Sequence, residues 1–187
     1  FMLLKDCTQI YTLGPQGTFS DEAAQKVLKT GVSVTYTSTF SEALAKVTED
    51  LGSAAVVPVE NSVAGTVAQV QDSLVNNDLI ILGEINLLIE YSLLANAKLD
   101  QIEVCFAHPQ ALEQSSGFIT KNLGNAQNHF TRSNVDSGIR FLEAVDSGNK
   151  PVAAIVPATF AQENSKWKKA SAVQDYQNNT TRFLVVR

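Results

Sequence analysis

Sulfur, histidine and positive charge are all scarce in this chain of 187 residues, which has two cysteines, one methionine and two histidines. Cys7 and Cys105, far apart in sequence, read as reduced thiols of a cytosolic protein. No His or Cys pair has metal-ligand spacing, so no metal is expected. Fourteen Lys and Arg stand against 19 Asp and Glu, a net charge of −5. The basic residues form no stripe, which argues against nucleic acid. A negative chain gains no long-range steering for an anion, so any anion site must be built locally. No apolar run reaches the roughly 18 residues of a membrane span, and no secretory h-region precedes a cleavage site. No membrane partner is expected, and the expected location is cytoplasmic. The glycine-rich stretch lacks the Gly-Lys-Ser/Thr of a phosphate loop, and no Gly-x-Ser-x-Gly elbow occurs. There is no internal repeat and no low-complexity segment. Phe1 ahead of Met2 reads as an added residue, with the natural start at Met2.

What remains is an ordinary globular balance, 44% hydrophobic and 18% charged. The length suits one large domain or two small lobes. Strand and helix signals alternate. Thr8–Leu13 reads as a strand ending at the turn Gly14-Pro15-Gln16-Gly17, with Thr18 or Ser20 capping a helix through Leu28. Val32–Tyr36 is a strand, and Thr39-Phe40-Ser41-Glu42 has capping-box spacing. Ala54–Val59 is apolar enough for a strand buried on both faces, and Val67–Val75 reads as a helix. Leu79–Leu94 reads as strand pieces crossing from one lobe to another. Ile102–Ala107 is a strand, Pro109–Leu123 mostly one helix, and Asn128–Thr131 a strand. A helix then runs over Asn134–Val145 with Asn134 as its cap, followed by strand Val152–Val156 and helix Ala158–Glu163. Ala170–Tyr176 links back to the last strand, Thr181–Arg187. That strand has to pair with elements made much earlier. The expected fold is therefore α/β with two lobes, the second inserted into the first and a cleft between them. Residues 1–83 with 173–187 form the first lobe, and 84–172 the second.

Four stretches could carry chemistry. In Pro58-Val59-Glu60-Asn61-Ser62-Val63-Ala64-Gly65-Thr66 a buried strand ends in a polar loop that opens a helix. Free N–H groups there, the hydroxyls of Ser62 and Thr66, the amide of Asn61 and the close approach allowed by Gly65 suit a carboxylate or phosphate. The alternative is plain capping. Gly14–Ser20 follows the same strand-loop-helix logic and reads as a tight turn. In His108-Pro109-Gln110-Ala111-Leu112-Glu113-Gln114 the histidine ends a strand and Pro109 opens a helix. Gln110 and Gln114 share a helix face, and His108 reads as structural. Finally, Thr181-Arg182-Phe183 opens the closing strand, placing a hydroxyl and a guanidinium where loops meet a sheet. Strand neighbours face opposite ways, so Thr181 and Arg182 share a site only if the strand has just begun or is twisted there.

These motifs, in this order, resemble the prephenate dehydratase family over the chain from about Tyr11 to Val186. The resemblance implies a two-lobed fold like that of type II periplasmic binding proteins. It also implies loss of water and carbon dioxide from prephenate to give phenylpyruvate in L-phenylalanine synthesis, with no cofactor. By the same resemblance Thr181 is the residue at the leaving hydroxyl, a hydrogen-bond donor rather than a bulk acid. Glu60 is placed beside it in the catalytic group. Asn61, Ser62, Gly65, Thr66, Gln114, Arg182 and Phe183 are expected to bind substrate, Arg182 as a bidentate carboxylate donor. A homodimer is the family expectation. Two positions depart from the family pattern: Ala107 stands where Ser or Thr usually precedes His-Pro-Gln, and Ala64 where an acidic residue is usual. No phenylalanine-binding ACT domain is expected in this chain. The alternatives are a catalytically impaired carboxylate-binding module of the same fold, which Ala107 would favour, and a related prephenate decarboxylase, which an intact Thr181 argues against.

Overall fold

The computed structural model describes residue 4, residues 6–148 and residues 150–187. Phe1 and Met2, and with them the reading of the natural start, lie outside the described residues. The chain divides into two compact units, Phe1–Ile89 with Asn178–Arg187, and Glu90–Gln177. The second is thus inserted into the first.

The first unit contains β1 (Gln9–Leu13), α1 (Phe19–Gln25), β2 (Ser33–Thr37), α2 (Phe40–Glu49), β3 (Ser53–Asn61), β4 (Gly65–Thr66), α3 (Ala68–Val75) and β5 (Ile81–Leu88). The second contains β6 (Tyr91–Ala95), β7 (Val104–Ala107), α4 (Pro109–Gln114), α5 (Ser116–Asn122), β8 (Gln127–Phe130), α6 (Asn134–Asp146), β9 (Val152–Pro157), α7 (Ala158–Glu163) and β10 (Lys168–Ser171). The chain then returns to the first unit as β11 (Thr180–Val186).

The first sheet runs β2-β1-β3-β11-β5, with β4 paired to β3. β1 lies parallel to β2 and β3, while β11 is antiparallel to β3 and β5. α2 and α3 cover one side, where Ala43, Leu44, Val47 and Val70 pack on Ala55, Val57, Val59 and Val186. Burying each such Leu or Val contributes roughly 1.5–3 kcal/mol. The second sheet runs β10-β6-β9-β7-β8. β7 is parallel to β8 and β9, and β6 is antiparallel to β9 and β10. Read from its other edge, it repeats the first: two outer parallel strands, a central strand, then two antiparallel ones. Its core gathers Leu94, Phe141, Val152, Ala154 and Val156.

Local chemistry repeats with the topology. Thr39 caps α2 by accepting from the Glu42 N–H at 3.0 Å, while the Glu42 carboxylate accepts from Ser38 N–H at 2.8 Å. Ser133 caps α6 by accepting from Asp136 N–H at 3.0 Å, and Asp136 accepts from Arg132 N–H at 3.0 Å. Asn134, the expected cap, is instead the first helical residue, because Ser133 holds the extended backbone that a cap requires. The helix expected over 109–123 is two, broken at Ser115, whose φ of −121° is not helical. The long run from Leu79 resolves into β5 in one sheet and β6 in the other. The return link begins as edge strand β10.

Candidate functional site

The last strand, β11, meets β3 at a defect. Along β11 the pairing with β3 runs Val186↔Ala55 to Phe183↔Pro58, then slips to Arg182↔Glu60 and Thr181↔Asn61. Val59 is the extra residue of a bulge, and the slip falls at Pro58, which has no N–H for the ladder. Proline within sheets is confined to edges and bulges for that reason. Without the slip Thr181 would oppose Glu60. With it, Thr181 opposes Asn61.

A buried hydrogen-bond network follows from that register. The Asn61 carbonyl oxygen accepts the backbone N–H groups of Val63 at 3.0 Å and Ala64 at 2.8 Å. Its amide nitrogen donates to Asn179 Oδ1 at 2.7 Å and to Thr181 Oγ1 at 2.8 Å. Backbone N–H groups cannot accept, so they fix which end of the Asn61 amide is oxygen. The two amide hydrogens are then committed, and Thr181 Oγ1 is an acceptor. The Thr181 hydroxyl proton must therefore point away from Asn61. Ser62 locks the strand entrance: its N–H donates to Thr180 O and its Oγ accepts from Thr180 N–H, both at 2.9 Å.

The loop after Asn61 differs from expectation. It does not open a helix but turns back as a hairpin, with β4 pairing Gly65 to Asn61 and Thr66 to Glu60. Gly65 sits at the turn with φ +82°, a conformation costly for other residues. Helix α3 starts at Ala68 without a side-chain cap. The N–H groups expected to hold an anion are thus partly consumed, those of Val63 and Ala64 by Asn61 itself. Gly65 and Thr66 are exposed.

Glu60 and Arg182 occupy the other face of the same strands. The Arg182 guanidinium lies 3.2 Å from Glu60 and 3.8 Å from Glu84, and all three side chains are about half exposed. Strand alternation accounts for this: Thr181 is buried, Arg182 exposed and Phe183 buried in the core. Gln114 lies in the second unit at the end of α4, buried, its carbonyl accepting from Asp175 N–H at 2.7 Å. His108 caps α4, its Nδ1 accepting from Gln110 N–H at 3.3 Å, and burial holds its pKa below the usual 6.5. Ala107 is buried at the end of β7. The Gly14–Ser20 turn closes on α1, where Thr18 accepts from Asp21 N–H at 3.3 Å. Both thiols are free and buried, and burial pushes Cys105 up to about 12. Among the described residues no three His, Cys, Asp or Glu side chains gather as a metal set, and no helix is long and apolar enough to cross a membrane.

Sequence reasoning missed Asn179. The signal was there, an asparagine two residues before Thr181, but nothing local in the sequence ties it to Asn61.

A family model described as prephenate dehydratase matches residues 10–187. The bifunctional chorismate mutase/prephenate dehydratase of Neisseria gonorrhoeae is 35% identical over 176 residues, covering 93% of this chain and 48% of that protein. The chain spans about half the length of such curated relatives. The crystal structure of prephenate dehydratase in complex with L-Phe from Arthrobacter aurescens matches with a TM-score of 0.80 at 29% identity, over 95% of this chain and 59% of that one. A candidate methionine-binding lipoprotein of Bacillus subtilis, at 11% identity and a TM-score of 0.50 over 97% of this chain and 83% of that one, shares the fold alone. The architecture is accordingly the two-lobed α/β type of the type II periplasmic binding proteins.

Proposed function

Because the chain belongs to the prephenate dehydratase family, we propose that it converts prephenate to phenylpyruvate, with Thr181 as the donor to the departing oxygen. The observation that carries this reading is the direction of one hydrogen bond: Asn61 donates to Thr181 Oγ1 at 2.8 Å, which leaves the hydroxyl proton for a ligand.

The bookkeeping of the reaction is simple. The bond from the ring to its carboxylate breaks, and the carboxylate leaves as carbon dioxide. The electron pair moves into the ring and expels the hydroxyl at the opposite carbon. That oxygen leaves as water with a proton relayed through Thr181, which recovers one from solvent. Aromaticity supplies the driving force, so the protein's task is orientation and stabilisation of charge on the departing oxygen. A threonine hydroxyl is a weak acid in bulk. Receiving the Asn61 N–H polarises it and makes it a better donor, as happens along chains of hydrogen bonds.

Within this reading Asn61 and Ser62 hold the donor in place rather than grip substrate. Thr66, exposed at the hairpin, is the residue of that loop left for a substrate carboxylate, since the Gly65 backbone pairs with Asn61 in the ladder. Arg182, on the opposite face and paired to Glu60 and Glu84, braces the strand entrance rather than gripping a substrate carboxylate. Glu60 acts through that pair, and Phe183 anchors β11 in the core. The reading carries with it L-phenylalanine synthesis in the cytoplasm, where two free buried thiols are at home, and a homodimer without a cofactor.

The test is to incubate purified protein with prephenate and identify the product. Phenylpyruvate formed with carbon dioxide is the expected result. No turnover at high enzyme concentration would sink the reading, and a decarboxylated product that keeps its hydroxyl would favour a decarboxylase.

A further inference from the structure

We propose that Asn179 is a positioning residue for this reaction, holding the Asn61 amide in the one orientation that leaves the Thr181 proton free. The inference rests on the assignment of Thr181 as donor. Asn179 is 1% exposed, and its Oδ1 takes one Asn61 amide hydrogen at 2.7 Å. Its own backbone is fixed, since its carbonyl accepts from Ile89 N–H at 2.7 Å just past the end of β5. Asn179 thus ties together the ends of three strands, β3 through Asn61, β5 through Ile89, and β11, which it precedes.

The direction of each bond follows from the one before. Val63 and Ala64 N–H groups fix the Asn61 oxygen. The Asn61 nitrogen must then face Asn179 and Thr181, so the atom of Asn179 that meets it must be an acceptor. Remove that acceptor, and a buried Asn61 N–H is left without its partner. The next acceptor in reach is Thr180 O, 3.4 Å away. Turning toward it draws the amide off Thr181 Oγ1. The Thr181 hydroxyl can then rotate inward to satisfy the pocket, and its proton is lost to the substrate. Nothing in this sequence of events requires Asn179 to touch substrate.

A double-mutant cycle tests the coupling in the intact chain, with prephenate as substrate. Asn179→Ala is expected to lower kcat about 10-fold, the value of roughly one lost hydrogen bond, while KM moves less than about twofold. In a Thr181→Ala background the same substitution should leave the residual rate unchanged, because there is no hydroxyl left to position. Asn179→Asp keeps an acceptor oxygen, so it should hold kcat within about threefold of the parent, its added charge raising KM for the dianionic substrate. Equal losses in both backgrounds would mean a merely structural role and would overturn the proposal. So would full activity of Asn179→Ala in a protein that Thr181→Ala inactivates. If the alanine variant does not fold, Asn179→Ser takes its place in the cycle with the same expectations. If the parent chain itself does not turn over prephenate, it is the reaction assignment that fails, and the positioning role falls with it.

Discussion

Asn61 and Thr181, 120 positions apart in sequence, are joined by a 2.8 Å hydrogen bond in which the amide donates and the hydroxyl accepts. The pair exists because β3 slips by one residue at Pro58. A straight ladder would have set Thr181 against an exposed glutamate. The bulge sets it against a buried asparagine whose oxygen is already occupied.

Removing the Thr181 hydroxyl should therefore remove the reaction, with about 1–3 kcal/mol of stability lost because a buried Asn61 N–H is left unpaired. Thr181→Val keeps the shape of the side chain and its place in the strand. A donor aimed at developing negative charge is worth about 10²–10³ in kcat, and that loss is expected for Thr181→Val with prephenate binding retained. Thr181→Ser restores a hydroxyl at the cost of rotational freedom and should recover to within about tenfold of the parent. Steady-state kinetics on the two variants, with circular dichroism as a check on folding, decides the matter. Equal activity of the valine and serine variants would discard the donor role.

Asn61→Asp reverses the key hydrogen bond without changing its geometry. A carboxylate at this position still accepts from Val63 and Ala64, but its second oxygen can only accept, so the Thr181 hydroxyl must donate inward. The expected result is a kcat loss of about 10²-fold at neutral pH. Steady-state kinetics of the two proteins at neutral pH checks this, and parent-like activity of the variant would count against the assigned bond direction.

His108 gives the second unit a pH dependence of stability. Its Nδ1 caps α4 as an acceptor, which only the neutral ring can do, and burial holds its pKa below the usual 6.5. Folding thus favours the unprotonated form. As pH falls below 6.5 the unfolded chain takes up the proton first, so the cap's contribution is whole above that value and drains away as pH falls through the folded pKa. The cap is worth about 0.5–2 kcal/mol. His108→Asn keeps an acceptor and does not titrate. Parent and variant should melt with a constant difference above about pH 7, and the variant should gain on the parent between about pH 6 and 5. Parallel melting curves down to pH 5 would contradict the role.

How much of this could be read in advance divides cleanly by range of interaction. The alternation of strands and helices was legible because burial imposes periods of two and 3.6 on local sequence. Caps such as Thr39 with Glu42 were legible because they act within four residues. Thr181 and Asn61 were singled out, yet their relation was not, because it depends on a bulge and on pairing across 120 positions. The same gap explains Asn179, a polar residue whose role lies in a partner far away in sequence. It also explains the loop at Gly65, where hairpin and helix start share the same polar, glycine-containing composition. The repeat of topology between the two units left short traces, Thr37-x-Thr39-x-x-Glu42 against Thr131-x-Ser133-x-x-Asp136 and Ala54-Ala55-Val56-Val57-Pro58 against Ala153-Ala154-Ile155-Val156-Pro157. Two such short matches, with conservative replacements, are too few to declare a repeat from sequence.

Gly138 offers a test of packing in which the sign of one substitution should reverse. The residue lies inside α6, where alanine is the better helix former by about 1 kcal/mol. A methyl group there would collide with Cε1 and Cζ of the Phe160 ring, closer than carbon atoms approach. The Phe160 ring packs against the core of the second unit, so it must move and lose those contacts. Overpacking of this kind costs about 1–3 kcal/mol, which outweighs the gain in helix propensity. Gly138→Ala alone is therefore expected to destabilise the protein. In a Phe160→Ala background the obstruction is gone, and the same substitution should stabilise by about 1 kcal/mol. Urea unfolding of the parent, both single variants and the double variant measures the difference. A Gly138→Ala effect of the same sign in both backgrounds would show that Phe160 is not what excludes a side chain from this helix position.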